Sequence, residues 1–120
     1  MSQNFQAGDF LLFQIESGFA LLRILAIDEA QNGGRIWHLA AYEELFLDSE
    51  MADSALATPE NLSNRREHMV LTQRAFEATQ VARMGNHPLS EEEKETVRKW
   101  RKNPAQEVSD RSARLMLGLR

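Results

Sequence analysis

No cysteine occurs anywhere in the 120 residues. Disulfides and thiolate zinc sites are therefore excluded, and stability has to come from packing. The opening Met1-Ser2-Gln3-Asn4 lacks the basic-then-apolar pattern of a signal peptide. No apolar run approaches the ~20 residues that span a bilayer. These absences point to a soluble cytoplasmic protein with no membrane partner. The chain is long enough for one domain and too short for two. Its apolar content, 42%, is that of an ordinary globular protein.

Catalytic and metal motifs are missing as well. There is no Gly-x-Ser-x-Gly, and Gly33-Gly34 is not followed by Lys-Ser/Thr or a helix start. Asp48–Asp53 lacks the alternating oxygen ligands and glycine of a calcium loop. The three histidines, His38, His68 and His87, have no helical i, i+4 partner histidine. His38 and His68 fall on different expected strands and could meet across a sheet. The simpler reading is three surface or hydrogen-bonded histidines. Asp28-Glu29 and Glu43-Glu44 are neighbours at strand ends, and neighbours on a strand point to opposite faces. They read as solvated turns, not acid–base pairs. The expectation is a non-enzyme with no cofactor and no metal.

What is present is a first third of three apolar runs cut by two glycine turns. Phe10–Ile15 precedes Ser17-Gly18. Phe19–Ile27 precedes Asn32-Gly33-Gly34, and Ile36–Tyr42 follows. Glycine adopts positive φ without steric penalty, so the runs read as consecutive antiparallel strands. Strand one is apolar on both faces, Phe10 and Leu12 against Leu11, Phe13 and Ile15. Strand two is too, broken only by Arg23. Such strands are covered on both sides, so something packs outside the sheet. On strand three, Trp37, Leu39 and Ala41 share one face, with His38, Ala40 and Tyr42 on the other.

Residues 40–47 fit either strand or helix, and we read a strand to about Glu44. Asp48 to Asn64 reads as a long acidic surface loop with at most one helical turn, and Pro59 biases Thr58 away from helix. Glu67–Leu71 reads as a fourth strand. Ala75–Thr79 reads as a helical turn capped by Thr72. Gln80–Met84 reads as a fifth strand, closed by Gly85-Asn86. The clearest helix spans 91–102. Ser90 and Glu93 form a capping box, acids fill the first turn, and Lys99, Arg101 and Lys102 fill the last. Pro104 ends it. Residues 105–120 fit a closing strand, a helix or a mobile tail, docked or free. The expected architecture is α+β: a curled antiparallel sheet or partly open SH3-like barrel of about five strands, with one helix near the C-terminus. Residues 1–104 make one small β-rich domain.

Charge is unevenly placed. Residues 1–63 hold ten acids against two arginines, net −8, and residues 64–120 hold eight acids against twelve bases, net +4. Such polarity suits a charged protein partner, although a sheet and a helix can also differ by chance. The expected function is a non-catalytic protein-interaction module whose partner is another protein. Asp48, Glu50, Asp53 and Glu60, with the region around Trp100, are the expected contact surface. The competing reading makes Trp100 the anchor of its helix on its own sheet. A second function is a nucleic-acid-binding barrel using the arginines of the second half, against which stands the pI of 5.4. A third is a small-ligand protein with a pocket near His38, His68 or Tyr42. A homodimer is also open.

Gly8-Asp9-Phe10-Leu11-Leu12-Phe13, then Gly18-Phe19-Ala20-Leu21-Leu22-Arg23-Ile24-Leu25, resembles the start of small SH3-like barrels of bacterial immunity-type proteins. The resemblance covers the first third of the chain. It implies a non-enzymatic protein that binds a partner such as a toxin, and it carries over no functional residue.

Overall fold

Two residues, Glu16 and Ser17, reverse the chain between β1 (Asp9–Ile15) and β2 (Gly18–Glu29), which pair from Ile15↔Gly18 to Phe10↔Arg23. Gly18 is required here chiefly by close approach. A Cβ built on it would lie 2.2 Å from the carbonyl oxygen of Phe46, and its φ is +148°. The computed structural model describes residues 4–31, 33–103 and 105–119. The expected turn residue Asn32 and the expected helix stop Pro104 lie outside them, as do residues 1–3.

β3 (Arg35–Phe46) returns along β2, and β4 (Asn64–Thr72) returns along β3. β5 (Ala82–Asn86) pairs with β1 on the other side. The sheet is five-stranded and antiparallel throughout, in the order β4-β3-β2-β1-β5, and it is not closed. The chain is an α+β fold with an open sheet. Residues 40–46 are strand, two residues beyond the expected end. Ala40, Ala41 and Tyr42 are all buried, so tertiary packing overrides the helix-forming residues that follow.

Each sheet face acquires its own helices. One face carries Leu11, Phe13, Leu22, Ile24, Trp37, Leu39 and Ala41, the alternation visible in the sequence. It is covered by α2 (Gln73–Thr79), capped by Thr72, and α4 (Ala113–Leu117), capped by Ser112. Phe76 of α2 stacks on Trp37 with centroids 3.7 Å apart. The opposite face carries Phe10, Leu12, Leu21 and Tyr42 beneath α1 (Ser49–Ala55), and Leu25 and Ala40 beneath Val97 of α3 (Glu91–Lys102). The two-faced strands thus have cover on both sides, as their composition demands. No helix is long and apolar enough to cross a membrane.

Several local expectations change. The 48–64 stretch is not mainly loop. Asp48 accepts from the Met51 amide at 2.8 Å and starts α1, and Pro59–Asn61 forms a 3-10 turn with proline at its start. The fifth strand begins at Ala82, because Gln80 ends α2 with φ +56°, and Gly85 and Asn86 belong to the strand. Residues 105–119 dock. Ser109 bridges to Leu71 beside β4, and α4 buries Ala113 and Leu117 in the main core. The leucine alternation 115, 117, 119 is not a strand.

The capping box on α3 forms as expected, with Glu93 accepting from the Ser90 amide at 2.9 Å. The same carboxylate accepts from Arg23 Nε at 3.0 Å. Arg23 is 4% exposed and also donates to the carbonyls of Gly8 (2.8 Å) and Pro88 (3.0 Å), its guanidinium lying over the Phe10 ring. The one base in strand two therefore bolts α3 to the sheet. Among the described residues, every buried side-chain polar atom has a partner.

Candidate functional site

Two places concentrate chemistry. The first lies under the C-terminal half of α3. The β2–β3 register sets Ala26 opposite His38 and Asp28 opposite Ile36, so Asp28 and His38 are diagonal neighbours on one face. Across β3, His38 is opposite Val70, which places His68 diagonally on that same face. Asp28 Oδ2 lies 2.9 Å from His38 Nε2, and His38 Nδ1 lies 2.9 Å from His68 Nε2. From α3, Arg101 grips the Asp28 carboxylate at 2.6 and 3.2 Å. The Trp100 ring stands edge-to-face against His38, 4.8 Å between centroids, and against His68, 6.4 Å. His38 is fully buried and His68 half-buried.

The protonation pattern follows from the partners. Burial works to raise the Asp28 pKa, but hydrogen bonds from Arg101 and His38 outweigh it and hold the carboxyl ionised, below its ordinary value. An ionised carboxylate only accepts, so His38 Nε2 carries the proton. Burial lowers the His38 pKa, and the bond to Asp28 opposes this without cancelling it. Neutral His38 therefore offers a bare Nδ1, which accepts from the Nε2–H of His68. Burial, with His38 beside it, brings His68 down to about 4. At neutral pH the chain Asp28–His38–His68 is a fixed hydrogen-bond relay with one polarity.

The meeting of His38 and His68 across the sheet was legible from the strand assignment. Asp28 was not: the solvated-turn reading fails for it because register and Arg101 take it into the relay. The periodicity of strands two and three, counted back from the turn, is the signal that places Asp28 near His38. Tyr42 is elsewhere on this face, in the cluster with Phe10 under α1. Burial pushes its phenol up to about 12.

The second place is the far end of β3 and the α1 region. Leu45 (48%), Leu47 (77%) and Met51 (48%) are exposed within seven residues. Asp48, Glu50, Asp53 and Glu60 are all exposed in the same stretch. Asp48 caps α1, and none of the four forms an ion pair among the described residues. Trp100 is not brought to these acids; its aromatic contacts are the two histidines.

The arginines of the second half are largely engaged. Arg65 donates to the Leu117 carbonyl, Arg74 pairs with Asp110, Arg83 with Asp9, Arg98 with Glu91 and Glu95, Arg101 with Asp28, and Arg114 donates to the Gln14 carbonyl. Two of these pairs, Arg83–Asp9 and Arg101–Asp28, join a base of the second half to an acid of the first, whereas the acids around α1 have no such partner among the described residues. No protein-family model, curated protein or solved structure matches the chain.

Proposed function

We propose that this chain is a non-catalytic protein-interaction module that binds a basic partner protein through the end of β3 and α1. The carrying observation is the exposure of Leu45, Leu47 and Met51 in a frame of carboxylates that form no ion pair among the described residues. Apolar side chains rimmed by charge of one sign form the pattern of a protein-binding patch. The acids steer a cationic surface and the leucines supply desolvated contact. An acidic patch repels its own copy, so the partner is a different protein. The resemblance of the first third to SH3-like immunity-type proteins supports the same class, with a toxin as one such partner. A cytoplasmic location belongs to this reading, in keeping with the lack of cysteine. Nucleic acid fits less well, because the arginines it would need are mostly held by internal partners.

The test is capture from native extract with nuclease present, comparing the natural chain with L45S/L47S and with D48N/E50Q/D53N. A stoichiometric protein retained by the natural chain and lost from both variants supports the reading. Equal capture by all three, or capture of nucleic acid alone without nuclease, overturns it.

A further inference from the structure

A cleft of about 740 Å³ opens beside the histidine relay, between β4, the end of α3 and the segment that follows it. Its volume falls within the ~300–1,000 Å³ of small-molecule sites. His68 and Trp100 line it, together with Arg66, Val70, Val108 and Met116. This site shares no residue with the patch around α1, and the inference does not rest on the proposed protein partner.

Three features define what the cleft can hold. First, the relay ends here. Arg101 fixes Asp28, Asp28 fixes the tautomer of His38, and His38 takes the Nε2 proton of His68. The Nδ1 of His68 is left as a bare acceptor with no protein partner among the described residues. A half-buried carboxylate and a fully buried imidazole thus orient one acceptor at the cleft. Second, the Arg66 guanidinium has no hydrogen-bond or ion-pair partner among the described residues, and it is a fork for a carboxylate or phosphate. Glu107, on the segment after α3, also lines the cleft and disfavours a second anionic group. Third, Trp100, Val70, Val108 and Met116 supply apolar wall.

We propose that this cleft binds a small aromatic monoanion carrying an O–H or N–H donor. The anionic group pairs with Arg66, the donor is read by His68 Nδ1, and the ring packs beside Trp100. With a pKa brought down to about 4, His68 accepts a hydrogen bond but is too weak a base to keep an abstracted proton near pH 7, so the site is one of recognition.

The probes are 4-hydroxybenzoate, benzoate, which lacks the donor, and phenol, which lacks the charge. Each is titrated into 15N-labelled protein while the Trp100 indole N–H is followed. The chain has two tryptophans, and W100F assigns the signal. The expected result is a saturable shift with 4-hydroxybenzoate at about tenfold tighter binding than with either truncated probe. R66A, at an exposed strand position, should remove the advantage over phenol, and H68F the advantage over benzoate. No shift from any probe in the folded chain overturns the proposal. So does an equal response to all three, or a 4-hydroxybenzoate affinity unchanged in R66A. R66A keeps the test decisive if H68F fails to fold.

Discussion

His38 and His68 meet across β3 and β4 with Nδ1 and Nε2 2.9 Å apart, a bond that needs at least one of the two rings neutral. Both pKa values are lowered, so the folded chain binds fewer protons than the unfolded chain in the intervening window. Stability is therefore full above the ordinary histidine value of 6.5 and falls as pH drops toward about 4 for His68. Asp28 and Glu93 have pKa values lowered from 3.8 and 4.5, so their contribution starts to fall only near those values and is lost below them. Urea denaturation across this range should give a midpoint that declines below pH 6.5, and H68Q should flatten the decline. A midpoint constant between pH 6.5 and about 4 contradicts the buried neutral pair.

Arg23 yields a second prediction. Removing it takes a donor from the Pro88 carbonyl, from the Gly8 carbonyl, which keeps the His87 amide, and from the Glu93 carboxylate, which keeps the Ser90 amide. Breaking a fully buried pair from one side costs about 3–5 kcal/mol, and with Glu93 27% exposed the lower end, about 3 kcal/mol, applies here. Arg23→Met should lose about that much, and Arg23→Lys should recover little, because one ammonium does not reproduce a fork reaching three acceptors. Chemical denaturation measures both. A loss below about 1 kcal/mol in Arg23→Met would show that α3 is held by apolar packing alone.

Backbone approach yields a third. Gly18→Ala forces a Cβ to within 2.2 Å of the Phe46 carbonyl oxygen, a backbone atom that cannot rotate away. The β1–β2 turn and the end of β3 must part, at a cost of about 2 kcal/mol or more. Gly85→Ala is the matched control: it has no positive φ, and nothing lies within 4 Å of its added Cβ. Its thermal midpoint should match the natural chain, whereas that of Gly18→Ala should drop by several degrees. Equal midpoints would refute the close approach.

How far the fold could be read ahead depends on the range of each signal. The β1–β2–β3 meander follows from apolar alternation and two turns, both local, and the two-faced runs of Leu11–Ile15 and Leu21–Ile24 already demanded cover on both sides. The Ser90–Glu93 box is three residues long and was legible for the same reason. The relay was only half legible. His38 and His68 could be placed on facing strands, but Asp28 acquires its role through a register offset and an arginine 73 residues away. In the 48–55 stretch, acids and small residues hid a helix whose one apolar contact, Ala52, is too small to make a stripe. The α1 acids were expected on the surface and are there; Trp100, read either as part of that contact surface or as the anchor of its helix on its own sheet, packs against His38 and His68 of the sheet.

The C-terminal segment provides the last prediction. Five helical residues are too few to be stable by themselves, so α4 exists only because the core holds it. Ala113 and Leu117 are buried in the main cluster with Phe76, and the Ala113 amide donates to the buried Thr79 hydroxyl at 3.0 Å. Ser112 and Gly118 close its two ends. Leu117→Ala should therefore behave as a core truncation and cost about 2–5 kcal/mol. Leu115, two residues away and 67% exposed, should tolerate alanine within about 0.5 kcal/mol. The contrast separates a docked helix from a tail: a free tail would leave both variants neutral, and a closing strand with 115, 117 and 119 on one face would make both costly. Denaturation of the two variants side by side distinguishes the three arrangements, and only a large loss confined to Leu117→Ala agrees with α4 as part of the core.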